Sequence, residues 1–250
     1  MNKFILDVHG DGIVSLNIND PAKKNAIDDE FCIQLYDIVD QIKKNKSIKV
    51  IIMTGLPDIF CSGGTKAFLQ NLISHYKTNI EHDYANHLKQ ILNIPVPVIA
   101  AMEGSATGGG LIIGLYADII IAAEESRYGL TFMNMGFTPG MGSTALCQSA
   151  FGYYTGFEMM ITGDHFTGKE LKGKCCFNYI LPRAAVLNKA MELAAAVAEK
   201  PRHNLELLKK YMSIGRRKSL EETSTIEAFM HHISFNQLDI EKNIQDNYTG

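Results

Sequence analysis

The chain has 250 residues, 46% of them apolar, and a formal net charge of −3. That size supports one well-buried core, or a core with an appendage. The weak negative charge gives no basis for nucleic acid or an anionic membrane as partner, and no run approaches the ~18–20 apolar residues of a membrane span. Five cysteines form an odd set without metal-ligand spacing, and Cys175 and Cys176 are adjacent. The start, Met1-Asn-Lys-Phe-Ile-Leu-Asp7, lacks the charged-then-apolar pattern of an export signal. A reducing cytoplasm is the expected location.

In chain order, Phe4–Val8 and Ile13–Ile18 alternate around Gly10-Asp-Gly12 and predict a β-hairpin. Asp28 is placed to cap a helix with Phe31, Leu35, Ile38, Val39 and Ile42 on one face. Ile48–Met53 reads as a strand covered on both sides, and Pro97–Met102 and Asp118–Ala122 repeat that pattern. Between the first two lies Phe68–Leu92, a polar stretch with His75, Tyr76, Lys77, Glu81, His82, Asp83 and His87. Strands alternating with helical segments predict an α/β core with crossovers. Beyond Leu181 the pattern turns helical: Ala184–Glu199, His203–Ile214 and Leu220–Asn236, with breaks at Pro201 and Gly215. The division expected is a core over 1–182 and a helical region over 183–250.

Two glycine clusters carry the chemistry. Phe60-Cys-Ser-Gly-Gly-Thr65 is a tight turn, and Gly108-Gly-Gly110 opens an apolar segment that reads as a buried helix. Main-chain N–H groups at such turns and at a helix N-terminus point outward unpaired, with the positive end of the helix dipole behind them. Two that converge from separate turns would hold a developing oxyanion. Glycines also mark tight backbone with no active site nearby, so either cluster alone leaves both readings open.

Together, and with Asn25-Ala26-Ile27 before them and Phe137-Thr-Pro-Gly-Met-Gly142 after, the clusters resemble the crotonase (enoyl-CoA hydratase/isomerase) superfamily over nearly the whole chain. The resemblance implies a core of ββα turns wound as a spiral, with C-terminal helices that make a homotrimer or a dimer of trimers. It implies an oxyanion hole from the N–H groups of Ser62 and Gly109, acting on an acyl thioester. The segment 68–92 is then expected to fold as a loop over the acyl pocket.

Hydratases of that family use two glutamates, whose places here fall on Ile112 and Phe132. Neither side chain can activate water or carry a proton, so hydration is excluded. Ile112, Phe132, Met133 and Met135 are expected to wall the acyl pocket with apolar surface, hostile to a carboxylate and friendly to a neutral product. As bare residues they are equally ordinary core. The segments Ile99-Ala-Ala-Met-Glu-Gly104, Gly136-Phe-Thr-Pro-Gly-Met-Gly142 and Glu199-Lys-Pro-Arg202 resemble one branch, the decarboxylases of polyketide β-branching. Ser105-Ala-Thr107 departs from that branch, which carries a histidine and an apolar residue there. The branch implies one loop lysine and one C-terminal-helix histidine, Lys77 and His231; Lys66 and His232 are the neighbouring alternatives.

The expected reaction is decarboxylation of a 3-methylglutaconyl group carried as a phosphopantetheine thioester on the acyl carrier protein of a polyketide synthase. Lys77 would hold the distal carboxylate, and His231, as an imidazolium with an ordinary pKa near 6.5, would protonate the dienolate. No metal or redox cofactor is expected, because the thioester is the electron sink. Lys23 and Lys24 are placed to meet a coenzyme A nucleotide or an acidic carrier protein, or simply to face solvent. An enoyl-thioester isomerase, or a scaffold without catalysis, remains open from the sequence.

Overall fold

The structure, a computed structural model, describes residues 2–78 and 87–248. Glu81, His82 and Asp83 lie outside the described residues. The chain opens with the expected hairpin, β1 (Phe4–Gly10) and β2 (Ile13–Ile18), paired antiparallel from Phe4↔Ile18 to Val8↔Val14. The Asp28 carboxylate accepts from Phe31 N and caps α1 (Asp29–Lys44), which buries Phe31, Cys32, Leu35, Val39 and Ile42. Three strand–strand–helix units follow. The first is β3 (Val50–Thr54), β4 (Ile59–Cys61) and α2 (Lys66–Thr78). The second is β5 (Val98–Met102), β6 (Ser105–Thr107) and α3 (Gly109–Leu115). The third is β7 (Ile119–Ala123), β8 (Arg127–Gly129) and α4 (Ser143–Thr162). After β9 (His165–Thr167), the one-turn α5 (Gly168–Leu171) and β10 (Tyr179–Leu181), the described chain ends in helices. These are α6 (Arg183–Ala198), α7 (Arg202–Met212), α8 (Ile214–Ser234) and α9 (Ile240–Asn247).

In each unit the first strand joins one sheet and the second joins another. The large sheet runs β1-β2-β3-β5-β7-β10, and the small one β4-β6-β8-β9. This is the ββα spiral. Alternate residues of β3 face opposite ways, as the strand period of two requires. Ile51 and Met53 pack inward with α1, α3 and the small sheet, while Val50 and Ile52 pack outward under Val186, Ala190 and Ala194 of α6. Both faces are dry, which is why the strand reads as an unbroken apolar run.

The strands of the small sheet escape periodicity because each is only three residues long. Residues 66–78 form a helix rather than the expected loop, because Phe68, Leu69 and Ile73 bury one face against the core. Gly215 does not break its helix: it sits in the first turn of α8 facing open space, where its low propensity costs about 1 kcal/mol and stops nothing. No helix among the described residues is long and apolar enough to cross a membrane.

Candidate active site

Strands β4, β6 and β8 pair in parallel, so the loops at their C-terminal ends emerge side by side. In α/β folds that edge is where ligands bind. Here it gathers Ser62-Gly63-Gly64, Gly108-Gly109 and Thr131-Phe132, all of which border one cleft.

The two glycine turns touch. A Cβ placed on Gly63, whose φ is +90°, would stand 2.8 Å from Thr107 O and 3.7 Å from Gly109 N. A Cβ on Gly110 would stand 2.1 Å from Cys61 O, so the start of α3 seats against the end of β4 only because that position has none. The turn at 25–27 pins the assembly: buried Asn25 donates to Ile18 O and Phe60 O, Ile27 N donates to Gly63 O, and Thr65 N donates to Ile27 O. Gly108 N donates to Gly129 O. Among the described residues, no turn or loop bond of this kind takes up Ser62 N–H or Gly109 N–H.

Gly109 is also a boundary. On one side lies an open cleft of about 550 Å³ with Lys24, Thr107, Arg127, Asn134 and His165 on its walls. On the other lies a cavity of about 140 Å³ walled by Ile27, Phe68, Leu72, Phe132, Phe137 and Met141. Lys23, by contrast, pairs with Asp28 at 2.7 Å.

His231 stands in the apolar cavity wall, 8% exposed. Its Nε2 lies 2.8 Å from Thr138 O, and its Nδ1 lies 3.4 Å from the Tyr76 hydroxyl. A carbonyl only accepts, so Nε2 carries the proton and Nδ1 is the acceptor. Burial pulls the ring pKa down to about 4, outweighing the bond to Thr138, and His232 lowers it further. The resting ring is therefore neutral at pH 7, not the imidazolium expected from an ordinary histidine; the reason is its apolar surroundings. His232, the neighbouring alternative, is exposed on the helix.

One turn before His231 on the same helix face, Glu227 is 2% exposed. Its carboxylate accepts from Gly142 N, Thr144 N and Thr144 Oγ1 at the N-terminus of α4. Burial raises its pKa, against the pull of those bonds and of Lys89. Glu227 thus ties α8 to the turn carrying Thr138 and Gly140, on which His231 rests. A Cβ at Gly140 would lie 2.4 Å from His231 Cε1.

Other expected site residues sit elsewhere. Lys77 is on α2 and pairs with Glu241 of α9 at 2.7 Å, its side chain 37% exposed; it lines neither cavity. Lys66 reaches Gln245 O instead. Ile112 is fully buried within the core behind the wall. Met133 is 42% exposed and borders a separate surface groove with Tyr153, Phe157 and Met230, because the 3-10 turn at 133–135 swings it outward. Phe132 and Met135 do line the cleft.

The family described as enoyl-CoA hydratase/isomerase matches residues 9–248. The chain belongs to that family, the crotonases. Among curated relatives, the bacillaene synthase decarboxylase PksI of Bacillus subtilis (strain 168) is 35% identical over 94% of this chain and 94% of its own length. The crystal structure of the decarboxylase domain of CurF from Lyngbya majuscula superposes with a TM-score of 0.89 at 32% identity, covering 99% of this chain and 100% of that one. A structure from a dehydratase/decarboxylase enzyme couple involved in polyketide β-branching gives 0.92 at 33% identity, with the same coverage. The resemblance to the decarboxylase branch holds.

This crotonase carries no acid at Ile112 or Phe132, and Glu227, the acid on its cavity wall among the described residues, is occupied by helix α4. Sequence reading overlooked Tyr76, Thr138, Glu227 and Lys89 as site residues. Glu227 had a signal, its i,i+4 spacing to His231. The others have none, since only the fold brings them to the cavity.

Proposed function

We propose that this crotonase decarboxylates a 3-methylglutaconyl thioester carried by the acyl carrier protein of a polyketide synthase. The observation that carries the reading is the position of Gly109, which lines both the cleft edged by Lys24 and Arg127 and the smaller, mostly apolar cavity. The pantetheine arm runs through the cleft, past Lys24 and Arg127, and the acyl group enters the cavity. The thioester oxygen accepts from Ser62 and Gly109 N–H. As the C–C bond to the distal carboxylate breaks, its electron pair moves through the double bond onto that oxygen, and carbon dioxide leaves. Loss of one such donor costs about 2.7–4 kcal/mol in other enzymes, so two donors supply a large share of the effect.

An apolar wall favours this direction, because the reaction removes a charge that the cavity solvates poorly. The dienolate takes up one proton at the end where His231 and the Tyr76 hydroxyl meet. His231 starts neutral; the entering carboxylate raises its proton affinity, so the ring takes a proton from solvent as substrate binds and returns it to the dienolate. Lys77 exchanges Glu241 for the substrate carboxylate as it passes. The thioester serves as electron sink, so the chemistry calls for no metal or redox group. Exposed Tyr153, Phe157 and Met133 on the outer groove are where we place contacts between copies in a trimer.

Mass spectrometry of a carrier protein loaded with 3-methylglutaconyl tests the reading. Loss of the mass of carbon dioxide is expected. A shift of the double bond without mass loss would establish an isomerase instead.

A further inference from the structure

Lys89 opens the short 3-10 turn Lys89–Asn93, just before the strand that leads to the second glycine turn. Among the described residues it is the one lysine or arginine on the apolar cavity's wall. It lies on the part of that wall which the cleft does not share. Its ammonium donates to Ser224 Oγ of α8 at 2.5 Å, and Ser224 Oγ in turn donates to Leu220 O, so the head group is held in place. Glu227 lies on the same wall and feels the charge of Lys89, while its carboxylate accepts from the N-terminus of α4.

A carboxylate drawn into an apolar cavity is costly unless a cation meets it there. Lys77 lines neither space and pairs with Glu241, so it meets the carboxylate only in passing. We propose that Lys89 is the specificity-determining residue of the acyl cavity, pairing with the distal carboxylate so that dicarboxylic half-thioesters are selected over simple acyl thioesters. The proposal rests on the decarboxylase reading. The pair exists in the bound substrate and is lost as carbon dioxide departs, so it acts on ground-state binding. Removing Lys89 therefore raises KM more than it lowers kcat.

The test compares binding of glutaryl- and butyryl-pantetheine thioesters, neither of which can lose carbon dioxide through a conjugated double bond. The wild type is expected to prefer glutaryl by about ten- to a hundredfold. Lys89→Gln should bind both about equally, Lys89→Arg should keep part of the preference, and Ser224→Ala, which loosens the head group, should reduce it. Butyryl binding reports that each variant is folded. A wild type without preference, or a folded Lys89→Gln or Ser224→Ala pair with the full preference, overturns the proposal. Carbon dioxide release from 3-methylglutaconyl carrier protein is read separately. Its absence in a wild type whose glutaryl preference depends on Lys89 removes the decarboxylase reading and leaves the Lys89 assignment standing.

Discussion

The two spaces that Gly109 borders differ in what edges them. The cleft is edged by charged and hydroxyl-bearing side chains; the cavity beyond is about a quarter of its volume and walled mostly by aliphatic and aromatic groups, with Lys89, Glu227 and His231 among them. In the proposed reaction, charge that builds at their junction meets N–H donors from two turns, beside a largely apolar space. Fixed dipoles are worth most in such a place, because low dielectric strengthens them and no solvent must reorganise. Under the proposed reaction, the contrast teaches that main chain sets the reactive position, while side chains sort which end of the substrate goes where.

The sharpest way to break that arrangement is to push the turns apart. Gly110→Ala places a methyl against Cys61 O and displaces the start of α3 from β4. Stability should fall by about 1–3 kcal/mol, measured by urea unfolding, and turnover by about 10²–10³-fold as the Gly109 donor leaves its place. Unchanged turnover would mean that the junction is not the reactive position.

His231→Gln probes the cavity side. Loss of a proton donor should slow turnover by about 10²-fold or more. It should also flatten the pH dependence of stability. The unfolded chain binds a proton at this histidine below ~6.5, whereas the folded ring resists it down to about 4. Between those values the unfolded state holds more protons, so wild-type stability falls as pH drops from ~6.5 toward 4, by up to about 3 kcal/mol from this group. Urea midpoints across that range should show the slope in the wild type and a shallower one in the variant. An equal slope in both would place the ring in a wetter setting.

Glu227→Ala removes the tie between α8 and the turn under His231. Three donors at the α4 N-terminus lose their partner, for a cost of about 2–4 kcal/mol in chemical unfolding. The smallest effect belongs to the Lys77–Glu241 pair. Glu241→Gln releases Lys77 from an exposed pair, and such pairs contribute little. Melting temperature should stay unchanged while KM for the carboxylated substrate falls a few-fold; a rise in KM would argue that Lys77 does not meet substrate.

Much of this contrast was legible in the sequence, but unevenly. The large-sheet strands announce themselves because burial on both faces demands continuous apolar runs such as Val50–Met53. The glycine turns are legible because close backbone approach tolerates no Cβ at Gly63 or Gly110. The small-sheet strands are too short to show a period, although they aim the turns. Burial of single side chains is harder still: Met133 and Met135 are two residues apart, yet one faces solvent and the other the cleft. The burial of His231 shows only once Phe137, Phe235 and Tyr76 are seen around it. Lys89 gives no signal at all, since only the crossing of its turn over α8 brings it to the cavity.

The most direct measurement is a crystal structure with a glutaryl-pantetheine thioester bound. The thioester oxygen should lie within hydrogen-bond distance of both Ser62 N and Gly109 N, with the acyl chain in the apolar cavity and the pantetheine in the cleft. An oxygen bound by neither amide, or an acyl chain left in the cleft, would contradict the account.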